Sequence, residues 1–295
     1  MSLSATKAMA HFVGSSVKVG RCLSLCGAML LGGLAATAAA GTLYIGTDTE
    51  EFGGATASYL AVATVNGANF VSEAKIPLNY PLNGIGDGPG FLYAGDPLTN
   101  TLRTIKYDGT LLTSVSAGFA NNCCNEEMQF SAGKLYHAHY ADVIQQIDPL
   151  TGAVIQSFAQ PDVVGMALVG GQMWITHWAA HLVGKWDPAT NTFTPVFSTP
   201  DNAGALAYDP DSGIIWVGQL GGMVIPYSLA GVAMNAGFDA VTPLGLVDGN
   251  GNPIPIDTVD GLTFQGEGRQ IPEPGILALF GIAGLCGLAR RKFFV

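Results

Sequence analysis

Four of the five histidines in this chain fall between positions 137 and 181. His137 and His139 are two residues apart in a strand-like segment, so they share one face. His139 follows Tyr136 by three residues, and His177 follows Trp174 by three. The same offset from Tyr93 reaches Asp96. Two imidazoles and a carboxylate are a donor set for Zn²⁺ or another divalent ion. If Asp96, His139 and His177 converge, an exported metal-dependent hydrolase or lyase could be built on them. The plainer reading makes them polar loop residues beside Tyr140 and Trp178, with no metal.

A second candidate is Cys123-Cys124, within Asn121-Asn122-Cys123-Cys124-Asn125-Glu126-Glu127. A disulfide between adjacent cysteines is strained, because neighbouring Cα atoms lie ~3.8 Å apart against the usual 4.4–6.8 Å. Free or intermolecular thiols and metal ligation are the alternatives. The acidic segments Asp209-Pro210-Asp211-Ser212-Gly213 and Asp248-Gly249-Asn250-Gly251-Asn252 look like fragments of calcium loops. Both lack the bidentate glutamate of a full loop and sit where hairpins need turns. Glu126 and Glu127 are adjacent rather than facing, which is not the arrangement of an acid–base couple. The chain has no Gly-x-Ser-x-Gly elbow, no phosphate loop and no His-Glu-x-x-His.

These residues must be positioned by a repeat. Tyr44, Tyr93, Tyr136, Trp174 and Trp216 each centre an apolar strand, at spacings of 49, 43, 38 and 42 residues. Met128 to Ser131, Gly165 to Val169 and Ala205 to Tyr208 read as strands preceding the later aromatics. Turns follow at Tyr107-Asp108-Gly109, Asp148-Pro149-Leu150-Thr151-Gly152 and Asp187-Pro188-Ala189-Thr190-Asn191. In these, proline presets φ and Gly or Asn tolerates the left-handed region. Four short strands every ~40 residues are the pattern of a β-propeller blade. Val259 to Phe264 reads as an inner strand without a successor, whereas Leu43 begins a unit without an inner strand. Pairing the two closes the ring and removes open sheet edges. The expected fold is all-β, a propeller of five blades, or six if the long first spacing or residues 229–258 hide further strands. The Asp-Pro turns and aromatic strands resemble the YVTN, NHL and quinoprotein-like propellers. That resemblance implies a fold and no particular activity.

Both ends read as targeting segments outside the propeller. Residues 1–40 carry Lys7, Lys18 and Arg21, an apolar stretch from Leu23 to Leu34, and small-x-small sites at Ala36-Thr37-Ala38 and Ala38-Ala39-Ala40. This is the layout of a signal peptide, an N-terminal signal helix for the Sec translocon. Residues 271–295 hold Pro272-Glu273-Pro274, an apolar run from Gly275 to Ala289, and Arg290-Arg291-Lys292. Fifteen helical residues span ~22 Å, short of a ~30 Å hydrocarbon core. The basic cluster would stay cytoplasmic. Motif, short hydrophobic helix and basic stop in this order resemble the PEP-CTERM sorting signal of Gram-negative bacteria. The resemblance implies recognition through Pro272, Glu273, Pro274, Arg290 and Arg291 by an exosortase. It also implies removal of the tail and a link to exopolysaccharide and biofilm. A permanent single-pass anchor is the competing reading of the same tail.

Composition narrows the partners. The chain is 48% hydrophobic and 12% charged, enough apolar content for a core and too little charge for a coiled coil or a disordered acidic chain. Residues 41–270 hold six Lys or Arg against 21 Asp or Glu, a net of −15. Such a surface argues against nucleic acid and discourages binding to anionic polymers. The expectation is an inner-membrane intermediate, then a protein of the cell surface or extracellular matrix. There its propeller, residues 41–270, would bind extracellular polysaccharide or surface proteins, or act as a scaffold.

Overall fold

The structure, a computed structural model, describes residues 40–46, 58–80, 82–96, 99–119, 125–139, 142–240, 242, 245, 259 and 261–267.

Five four-stranded antiparallel sheets make up the propeller. Blade one holds β1 (Gly41–Gly46), β2 (Ser58–Asn66) and β3 (Asn69–Leu78). Blade two is β4 (Ile85–Asp87), β5 (Leu92–Asp96), β6 (Thr101–Ile105) and β7 (Leu111–Ser116). Blade three is β8 (Asn125–Ser131), β9 (Lys134–His139), β10 (Val143–Ile147) and β11 (Val154–Ala159). Blade four is β12 (Val163–Val169), β13 (Gln172–His177), β14 (Leu182–Asp187) and β15 (Thr192–Ser198). Blade five is β16 (Ala203–Asp209), β17 (Ile214–Gln219), β18 (Met223–Ser228) and the two-residue β19 (Phe238–Asp239). The inner strand of blade one is β20 (Gly261–Phe264), which pairs with β1 from Leu43↔Phe264 to Gly46↔Gly261. The ring therefore closes as the unpaired ends of the repeat predict. It closes at five, because residues 229–240 contribute only β19 to blade five.

The five aromatics explain why the sheets stack. Along the second strand of each blade, alternate residues face opposite neighbours. Tyr93 packs toward blade three, while Leu92 and Ala94 pack toward blade one. Trp174 packs toward blade five, while Met173 and Ile175 pack toward blade three. Both sheet faces are buried, so these strands are apolar throughout rather than alternating. The cores are the five seams between blades.

The inner strands begin earlier than the sequence pattern indicates. In β8, β12 and β16 the register shifts between Asn125 and Met128, Val163 and Met166, and Ala203 and Leu206. A bulge at the same place in three blades breaks the apolar period where each strand nears the axis. The hairpin turns behave as read. Asp148 Oδ1 accepts from the N–H groups of Leu150 and Thr151 at 2.8 and 3.2 Å, and Gly152 closes the turn at φ 72°. Asp209 caps its turn the same way, accepting from Asp211 N at 2.9 Å. Residues 248–252 lie outside the described residues.

Candidate functional site

The ladder pairings place Asp96, His139 and His177 at equivalent ends of β5, β9 and β13, as the aromatic offset predicts. They are not brought together. Each side chain points into its own seam, Asp96 with Leu92 and Ala94, His139 with Leu135, and His177 with Met173 and Ile175. These are second strands, one removed from the axis, so equivalent positions are spread around the ring. Among the described residues, no three His, Cys, Asp or Glu side chains form a group that could hold a metal ion.

Each of the three is engaged locally instead. Asp96 takes the Arg103 guanidinium at 2.8 Å and accepts from Thr99 N at 3.2 Å, capping the β5–β6 turn. His177 stacks on Phe193 at 4.1 Å. Burial pushes its pKa down, opposed by the nearby Asp162. His139 lies 5.9 Å from His137, whose ring packs 4.6 Å from Phe119. His137 is completely buried, and desolvation lowers its pKa to about 3, so it stays neutral. Cys123 and Cys124 lie outside the described residues.

What converges on the axis is Glu127, which the spacing argument set aside beside Glu126. Glu127 is wholly buried on the innermost strand of blade three. Its Oε2 accepts from Met166 N at 2.6 Å and Leu206 N at 2.7 Å, and its Oε1 from Leu262 N at 3.0 Å. Those donors belong to blades four, five and one. One side chain thus ties the inner strands of three other blades to its own.

Room for it comes from the equivalent positions. The pairings Ile85↔Ala94, Met128↔His137, Met166↔Ile175, Leu206↔Val217 and Leu262↔Ile45 align the inner strands. The residues just before them are Gly84, Glu127, Gly165, Ala205 and Gly261. Four small residues surround one carboxylate. A Cβ on Gly165 would sit 2.3 Å from Gly204 O, and one on Gly261 would sit 2.9 Å from Asn83 O.

A second carboxylate occupies the axis two residues further along the same strands. Glu267 follows β20, and its Oε1 accepts from Leu168 N at 2.9 Å while Oε2 accepts from Phe264 N at 3.2 Å. Tyr208 N is a further donor. Asp87 completes this level. It accepts from Gly266 N at 3.0 Å and from the Tyr107 hydroxyl at 2.7 Å, while its own N–H donates to Thr263 Oγ1 at 3.0 Å.

Burial raises the pKa of both glutamates. Glu127 lies well above the usual carboxylate range, through desolvation first and repulsion from Glu267 in addition, against the pull of its three N–H donors. Glu267 rises to about 8, again chiefly by desolvation, with Asp87 adding to it. Each oxygen is aimed at backbone N–H groups, which suits a structural acceptor and not the coordination of a cation. Comparison of the inner-strand column, one glutamate among Gly84, Gly165, Ala205 and Gly261, is the sequence signal that marks this position.

Fold and axis together define a closed five-bladed all-β propeller pinned by two buried glutamates. A family model for the PEP-CTERM protein-sorting motif matches residues 270–292. The chain therefore carries a C-terminal sorting motif of exported proteins, recognised by an exosortase after transient membrane anchoring. No curated protein sequence matches it. Among solved structures, Myxococcus xanthus glutaminyl cyclase is similar over 54% of this chain and 76% of that one, at 16% identity and a TM-score of 0.42. The computationally designed protein Ika8 is similar over 61% of this chain and 60% of its own, at 13% identity and a TM-score of 0.37.

Proposed function

We propose that this exported propeller is a binding or structural module of the cell surface or extracellular matrix, working beside exopolysaccharide. The observation that supports this is the state of the axis. The axis is a common place for chemistry in a ring of blades, and among the described residues here Glu127 and Glu267 lie on it with their oxygens accepting chiefly from backbone N–H groups. Recognition then falls to the outer faces and their loops. The strongly acidic exported portion favours neutral over anionic polymers.

The test is fractionation of a host that expresses the full chain with an active exosortase. The processed protein is expected to co-sediment with the exopolysaccharide or remain on washed cells, and to be released when the polymer is digested. Quantitative release into the medium from cells with intact polymer would overturn the reading.

A further inference from the structure

Both ends of the propeller leave through one face. β1 starts there at Gly41, and Gln265, just past β20, donates its N–H to Thr42 O at 2.9 Å. Because each blade is an antiparallel meander, the turns joining first to second and third to fourth strands open on that face too. Seven residues, 268–274, then lead to the apolar run from Gly275 to Ala289. Seven residues reach at most ~25 Å. When the tail is in the membrane, this face is held within that distance of the bilayer.

This face carries a rim of exposed apolar side chains, while much of the opposite face, including 47–57, 120–124, 140–141 and 246–258, lies outside the described residues. Of the twelve exposed large hydrophobics among the described residues, ten lie in third-to-fourth-strand connections or the first three residues of an outer strand. Phe70 and Val71 represent blade one, Leu111 and Leu112 blade two, and Leu150 and Ile155 blade three. Leu150, at the tip of its turn, is 83% exposed. The blade-five connection continues the rim, since Asn235 Nδ2 donates to Ala68 O at 2.6 Å and Phe70 stacks on Phe238 at 4.5 Å. Isolated exposed hydrophobics are ordinary, but a rim of them on one face needs a partner.

The charges on this face are mixed. Lys106 and Lys134 stand in or beside the turns of this face, and Arg269 lies in the seven-residue link. Asp108, Asp148, Asp187 and Asp209 are here too, each accepting from N–H groups of its own turn, and Asp211 stands beside Asp209. At the opposite face stand Asp96, Asp142, Asp162 and Asp201, with Arg103 buried against Asp96 and Lys75 over the Tyr59 ring at that end of β2.

We infer that this face rests on the membrane that holds the chain's own tail, its apolar rim entering the headgroup region and its lysines meeting anionic lipid. The contact adds to the anchored state set by the sorting motif. The partner is lipid, not a second copy of the chain.

The experiment uses the full chain in vesicles of phosphatidylethanolamine with a minor fraction of phosphatidylglycerol. Insertion is checked first by resistance to carbonate extraction. A photoreactive diazirine side chain is placed at position 150, 155 or 232, or at 220 on the opposite face. The expected result is lipid adducts several-fold more abundant at the first three positions than at 220, reduced by Lys106→Glu with Lys134→Glu. Equal labelling in a carbonate-resistant chain overturns the proposal. Adducts to another protein chain from position 150 overturn it in favour of a dimer. Extraction by carbonate overturns the anchoring itself, and the proposal with it.

Discussion

Glu127 and Glu267 grip the same three blades two residues apart. Glu127 takes the N–H groups of Met166, Leu206 and Leu262, and Glu267 those of Leu168, Tyr208 and Phe264. Two residues along a strand is one pleat repeat, about 6.6 Å. The inner strands of blades four, five and one thus meet carboxylates at two successive levels, one from blade three and one from the segment after β20. Closure of the ring is fastened along the axis as well as at the β1–β20 ladder.

Removing the first pin should be costly. Glu127→Ala leaves three buried N–H groups without acceptors, each unmet group costing about 1–3 kcal/mol. Glu127→Gln keeps the shape and, like the protonated acid, presents a donor on one arm, so it is the milder change. Urea unfolding should show both variants destabilised, Ala the more. Glu127→Ala as stable as the parent would show that the axis is not held by these bonds.

The second pin sets an alkaline limb. The Glu267 pKa is about 8 in the fold against 4.5 for a free glutamate. Between those values the folded state holds a proton that the unfolded chain has released. The Glu267 contribution is therefore full below pH 4.5 and falls as pH rises toward 8, by about 1.4 kcal/mol per pH unit for one proton. Glu127 acts in the same direction. Glu267→Gln should flatten this limb, whatever it does to absolute stability, when melting is followed across pH.

An acid limb belongs to His137. Its pKa is about 3 in the fold against 6.5 free. Below pH 6.5 the unfolded chain takes up a proton that the buried ring refuses, so stability falls as pH drops from 6.5 toward 3. Replacement by leucine, which cannot ionise, should remove this contribution. In the intact chain, the His137 ring signals should show no titration by NMR between pH 5 and 8.

Crowding around the axis gives a steric test. A Cβ on Gly165 meets Gly204 O at 2.3 Å and Leu206 N at 2.8 Å, both backbone atoms that cannot swing away. Gly165→Ala should cost about 1–3 kcal/mol through overpacking. The change also presses on the Thr176 hydroxyl, which accepts from Gly165 N at 2.7 Å and donates to Gly204 O at 2.9 Å. Chemical denaturation that finds Gly165→Ala neutral would mean the inner strands can part without loss.

Truncation separates the fold from the sorting tail. β20 and Glu267 precede Pro272, so a chain ending at 270 keeps the closing strand and both pins. It should melt within a few degrees of the full chain. A chain ending at 258 loses β20, leaves β1 as an open edge and removes a donor from Glu127. It should lose cooperative unfolding in calorimetry.

Much of the architecture was legible because it is periodic. Tyr44, Tyr93, Tyr136, Trp174 and Trp216 recur because every blade buries the same face of its second strand, and Asp-Pro turns recur because every hairpin needs one. The unmatched strands at Leu43 and Val259 announced the closure. The sorting tail was legible for a different reason, since a proline-flanked motif, an apolar run and a basic stop act through local chemistry alone.

The blade number and the contents of the axis were decided only by the tertiary structure. Residues 229–240 hold a single short strand, which no local pattern distinguishes from a degenerate blade. Asp96, His139 and His177 share a column, but a ring turns a column in sequence into a circle in space, and their side chains end in separate seams. Glu127 showed no partner because its partners are backbone N–H groups 39, 79 and 135 residues away. Backbone donors carry no residue identity, so the meeting of Glu127 with three blades becomes visible only when the ring is closed.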